Sequence, residues 1–139
     1  MKDFKEFIEQ GIVKKQSPDL SRASSLMKES EKDCNFLKQI LEKIPLSNDN
    51  SNSIIISCYD IIMKKIRANM LKKGLKASGY GAHEAEVYYL QKVGFSQNEI
   101  EFADQLRYFR NGIEYYGKSF DETYAKQVLD FLKKIRRKL

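Results

Sequence analysis

The sequence predicts an all-α protein, an antiparallel up-and-down bundle of five to six helices forming a single domain over residues 1–139. Three observations predict it. Breakers are scarce, with 2 prolines and 7 glycines in 139 residues, so elements should be few and long. Apolar residues recur at steps of three and four, the helical spacing. No stretch alternates convincingly as a strand does. Hydrophobic residues make up 42% and charged residues 32% of the chain, a balance that can bury a core without disulfide or metal staples.

A first helix is expected over residues 2–15, with Phe4, Phe7, Ile8 and Ile12 inward. Ser17-Pro18 then reads as a helix start, serine capping and proline at the first helical position. From there Leu20, Ala23, Met27, Ser30, Cys34, Leu37, Leu41 and Ile44 form a heptad seam of the kind found between antiparallel bundle helices. Pro45 ends this helix, and PLSNDNSN is a polar turn. A third helix starts near Ser53, with Ile55, Ile56, Tyr59, Ile62, Met63, Ile66 and Met70 on its apolar side. The loop KASGYGA leads to a short helix over 83–93 that stops at Gly94. Ser96 and Glu99 form a capping box, with Phe95 placed to staple onto Ile100. That helix runs to Gly117. A second capping box, Ser119 with Glu122, opens the last helix, whose inward residues are Tyr124, Val128, Phe131 and Ile135.

Several function classes are excluded by composition. No apolar run is long enough to span a membrane, and MKDFKEFIEQ is no secretory signal, so a cytoplasmic protein without a membrane role is expected. Two cysteines and one histidine do not make a disulfide framework, a zinc site or a histidine-based triad. Cys34 and Cys58 read as small buried hydrophobes, and no metal or cofactor is implied. The net charge of +6 is moderate, with basic clusters at 64–76 and 133–138. Such clusters suit nucleic acid or another polyanion, and equally suit helix C-termini and solubility.

The stretch LRYFRNGIEYYGK, residues 106–118, mixes core and polar character. On a helical wheel Phe102, Leu106, Phe109, Ile113 and Tyr116 fall on one core stripe. Arg110 flanks it, and Arg107, Asn111, Glu114 and Tyr115 fill the adjoining polar face. Arg110 with Glu114, and Arg107 with Asn111, have the spacing of local side-chain pairs. Gly112 weakens the helix by about 1 kcal/mol against alanine. Close approach by another backbone or a second subunit is the expected reason for it.

Four stretches together resemble the HEPN superfamily of small helical-bundle domains: SPDLSRASSLMKESEK, SCYDIIMKKIRANMLKKG, GYGAHEAEVYYL and FADQLRYFRNGIEYYG. The resemblance spans most of the chain. Tyr59-Asp60 sits where that family has a recurrent Tyr-Asp, and Arg110-Asn111 matches its arginine and following polar residue. The family's histidine, four to six residues further on, is replaced: those positions hold Tyr115, Tyr116 and Gly117. Family members with the full motif pack two copies of that helix together and cleave RNA without metal. Their arginine steadies phosphate charge, a role suited to its bidentate fork. Tyrosine is a poor general base at neutral pH.

The resemblance thus implies a homodimer that binds RNA or a nucleotide, with Arg107, Arg110, Asn111, Tyr115, Lys118, Tyr80 and His83 as the candidate binding residues. A metal-independent toxin-type endoribonuclease is the alternative, with Arg110, Asn111 and Tyr115, or His83 in place of the missing histidine, carrying catalysis. A third reading is the partner, antitoxin-like, of a small nucleotidyltransferase, with Tyr115 or Tyr116 accepting a nucleotide. His83 equally reads as a helix-starting residue, and Tyr80 as either a loop anchor or a stacking residue.

Overall fold

The computed structural model describes residues 2–139. Its elements, in chain order, are α1 (Phe4–Glu9), β1 (Val13–Lys15), α2 (Leu20–Lys43), α3 (Ser51–Lys72), β2 (Leu75–Ala77), α4 (Ala82–Tyr88) continued by a 3-10 turn (Tyr89–Val93), α5 (Gln97–Tyr116) and α6 (Glu122–Lys138). The architecture is an all-α bundle carrying one two-stranded ladder. Among the described residues no helix is long and apolar enough to cross a membrane.

α3 is the central helix. Ile54, Ile55, Cys58, Tyr59, Ile61, Ile62, Met63, Ile66 and Met70 are all buried, and α2, α4, α5 and α6 pack around it. Cross-contacts fix the directions. Ser51 bonds back to Ser47, Lys64 pairs with Asp33 and Lys65 with Glu31, and Asp19 N donates to Leu71 O. Residue numbers thus fall on α2 as they rise on α3, so the pair is antiparallel. Glu99 with Lys134, Phe102 with Phe131 and Phe109 with Tyr124 make α5 and α6 antiparallel in the same way. The heptad seam is buried in its middle, at Ala23, Ser30, Cys34 and Leu37, while Leu20 and Ile44 at its ends are exposed. Ser30 fits this seam because its hydroxyl donates to Met27 O at 2.8 Å.

The expected first helix is corrected. Asp3 caps α1, whose Phe4 and Phe7 are buried, but Gly11 turns the chain at a φ of 77°. The chain then extends, and Val13, Lys14 and Lys15 pair antiparallel with Ala77, Lys76 and Leu75. The KASGYGA loop therefore begins as a strand. Gly74 lets the ladder close: with a φ of +76°, an added Cβ there would stand 2.4 Å from Gln16 O.

Three helix starts also move. Asp19, not Ser17, caps α2 through Arg22 N at 3.0 Å, and α3 starts at Ser51 after Asn50. Asp121, not Ser119, caps α6. Side chains of the α2–α3 region cause the last shift. Asn52 donates to Lys118 O at 2.9 Å and accepts from Phe120 N at 3.0 Å, while Asn48 accepts from Glu122 N at 2.9 Å. With residues 118 to 122 occupied this way, α6 cannot begin earlier. The capping box at Ser96 and Glu99 forms as expected.

Candidate functional site

α5 carries the polar group that the sequence singles out, and its local partners are not the ones the helical spacing suggests. Arg107 Nε donates to Asp104 Oδ1 at 2.9 Å, and its guanidinium lies 3.8 Å from Glu84 Oε2. Glu84 also accepts from Lys2 Nζ at 2.8 Å, a bond that raises the Lys2 ammonium above its ordinary pKa. Lys2, Glu84, Arg107 and Asp104 thus form an alternating charge chain, in place of an Arg107–Asn111 pair.

Arg110 reaches away from Glu114 and onto α3. Its guanidinium sits over the Tyr59 ring at 5.6 Å and 4.0 Å from Asp60 Oδ1. Its Nε is buried without a hydrogen-bond partner. Burial pushes the Tyr59 phenol up to about 12 and raises the Asp60 carboxyl, with Arg110 opposing both. The two stretches Tyr59-Asp60 and Arg110-Asn111 therefore touch.

A cleft of about 680 Å³ opens beside this helix. Arg107 and Asn111 supply one wall, and Tyr80, from the 79–81 turn, with His83, from the first turn of α4, supply the other. Lys2 and Glu84 complete it. Four of the seven candidate binding residues converge here from positions up to 31 apart (Tyr80 to Asn111). Tyr80 is fully exposed, so its ring is free to stack on a planar ligand. His83 is the one histidine of the chain, and it lines this cleft.

Arg110, Tyr115 and Lys118 do not line that cleft. Tyr115 is exposed, and so is Tyr116, which the helical wheel assigns to the core. The correction has a steric cause. α5 ends at Gly117, in the left-handed region at a φ of 64°, and the returning chain inserts Phe120 instead. The Phe120 ring centre is 4.6 Å from that of Phe109, within a cluster that includes Phe102, Tyr124 and Phe131.

Gly112 is also accounted for within the chain. Lys118 N donates to Gly112 O at 3.1 Å, and a Cβ on Gly112 would meet Lys118 Cγ at 3.2 Å. The close approach is the chain's own Lys118.

Several charged residues of interest carry no local sequence signal. Lys2 and Glu84 are 82 residues apart. Glu86 is 5% exposed, takes Arg67 Nε on one oxygen at 2.7 Å, and leaves its Oε1 buried without a partner. An unmet buried acceptor costs about 1–3 kcal/mol. Burial raises the Glu86 carboxyl against the opposing pull of Arg67. Elsewhere Cys58 is buried in the core, its thiol pushed up to about 12 by burial and then by Cys34, which makes it a poor nucleophile. Among the described residues no three His, Cys, Asp or Glu side chains gather as metal ligands.

Comparisons with protein-family models, with curated proteins and with solved structures give no match for this chain.

Proposed function

We propose that this protein is a HEPN-like module that binds RNA or a nucleotide as a homodimer, through the cleft between α5 and residues 79–84 at the start of α4. The observation that carries the proposal is the convergence of Arg107, Asn111, Tyr80 and His83 on that one cleft. In this reading Arg107 and Lys2 meet phosphate, Asn111 hydrogen-bonds, and Tyr80 stacks on a base, the combination that holds single-stranded nucleic acid without reading its sequence. Arg110, held on Tyr59 and Asp60, fixes α5 against α3. The exposed Tyr108 and Tyr115, seven residues apart on one face of α5, supply the surface for a second copy.

Labelled single-stranded RNA, incubated in chelator with the parent and with Arg107→Ala and Arg110→Ala variants, tests this. Binding should weaken steeply with salt and fall in Arg107→Ala, without cleavage. Binding unaffected by salt and by both substitutions would refute it.

Two alternatives each have a supporting observation. His83 shares the cleft with Arg107 and Asn111, which favours a metal-independent ribonuclease. Cleavage in chelator, lost in His83→Gln, would establish it. The exposure of both Tyr115 and Tyr116 favours the partner of a nucleotidyltransferase that modifies tyrosine. A nucleotide adduct on either, seen by mass spectrometry after incubation with such an enzyme, would decide for that reading.

A further inference from the structure

A second cleft, of about 420 Å³, lies on the other side of His83. It sits where the start of α2, the end of α3, β2 and α4 meet. Met70, Leu71 and Glu86 are buried and form its floor, while Arg22, Lys76 and His83 are exposed and stand at its mouth. Leu26 and Leu75 add apolar wall. Of its lining residues, only Ala82 and His83 also line the cleft described above.

Its electrostatics are one-sided. Arg22, Arg67 and Lys76 line it against the single carboxylate of Glu86. Arg67 is already bound to Glu86 Oε2, whereas neither Arg22 nor Lys76 has an ion-pair partner among the described residues. A net positive cleft of this volume suits a small anion. Two free cations favour the double charge of a phosphate over a carboxylate.

The floor adds a second, independent demand. Glu86 Oε1 is an acceptor with no donor. Because Arg67 already offsets the charge of this carboxylate, Oε1 calls for a neutral O–H or N–H. The same ligand must therefore be anionic at one end and carry a donor at the other.

We infer that this cleft binds a small phosphate monoester, its phosphate held by Arg22 and Lys76 and a hydroxyl or N–H of its body donating to Glu86 Oε1. A sugar phosphate and a nucleoside monophosphate share that chemistry. This site adjoins the RNA cleft at Ala82 and His83 and stands whether or not that reading holds.

Isothermal titration of the full chain with ribose 5-phosphate, AMP and inorganic phosphate tests it. Either ester should bind at least about tenfold more tightly than inorganic phosphate, the worth of one hydrogen bond to a charged group. AMP ahead of ribose 5-phosphate would identify a nucleoside monophosphate that uses the apolar wall, and the reverse order a sugar phosphate. Arg22→Glu, an exposed position, should weaken the tighter ester at least about tenfold. Glu86→Gln presents a donor where the acceptor stood and should erase the preference for esters. Equal affinity for all three phosphates, no binding at millimolar concentration, or binding that survives Arg22→Glu would each overturn the inference. If Glu86→Gln does not fold, Arg22→Glu and the comparison of esters with inorganic phosphate still decide.

Discussion

Removing the carboxylate of Glu84 should tighten RNA binding, an outcome opposite to most substitutions at a binding site. Glu84 sits between Lys2 Nζ at 2.8 Å and the Arg107 guanidinium at 3.8 Å, so both cations face a resident anion before any phosphate arrives. A phosphate seated on Arg107 would stand about 6 Å from that carboxylate. At this separation two unit charges repel by about 0.7 kcal/mol in water, and more where the site is partly shielded. Glu84→Gln keeps the shape and removes the repulsion, so affinity should rise by a factor of about three to ten. The salt dependence should steepen too, because each cation released to phosphate adds about 0.7 to the slope of log affinity against log salt for a single strand. Fluorescence anisotropy of a labelled oligonucleotide at several salt concentrations measures both. An affinity within twofold of the parent, or lower, would show that anions do not bind at Arg107.

Four further outcomes follow, three from the packing and one from an ion pair. Gly74→Ala should cost about 2–4 kcal/mol in urea unfolding, since the new Cβ meets backbone at 2.4 Å in a left-handed conformation. Gly112→Ala meets only the mobile Lys118 side chain and should be neutral or stabilising by up to about 1 kcal/mol. Arg110→Ala should lose about 1 kcal/mol by the same assay, through the contact with Tyr59; a loss below about 0.3 kcal/mol would show that this contact does not hold α5 on α3. Glu31 is held below its ordinary value of 4.5 first by the hydrogen bond from Lys65. Its folded pKa is depressed, so its contribution is complete above pH 4.5 and is lost as pH falls through the folded pKa. Thermal melts of Lys65→Met between pH 6 and pH 3, taken with about 0.5-unit steps, should show a shallower acid decline than the parent; parallel declines would refute the pairing.

The legible parts of this fold are those decided by a few neighbouring residues. The capping box at Ser96, the stop at Gly94 and the middle of the α2 seam all follow from local chemistry. The misplaced starts share one cause, a choice between adjacent capping residues that a distant group settles. At α2 the Asp19 backbone is tied to Leu71, and at α6 Asn48 and Asn52 take the preceding turn. Residues 2–15 fit a helical spacing until Gly11 and a distant strand partner, at 75–77, intervene. The site divides the same way. Arg107, Asn111, Tyr80 and His83 stand out by residue type and do come together. Arg110 carries a nearer candidate partner in Glu114, yet it binds Tyr59 and Asp60, which no spacing rule on α5 can reveal. Tyr116 has the periodicity of a core residue, but the chain turns at Gly117 before any surface exists to cover it.

The short β1–β2 ladder has a mechanical consequence. It joins the segment that follows α1 to the chain leading into α4, with Ser78 N donating to Ile12 O just beyond the paired residues. Lys2 reaches the first turn of α4 at Glu84, so residues 2–15 act as a brace across one side of the cleft. A two-stranded ladder opens more readily than the helices around it. Its amide protons therefore offer a gauge of the brace: a ligand that tightens the cleft should slow their exchange with solvent, at positions that never touch it.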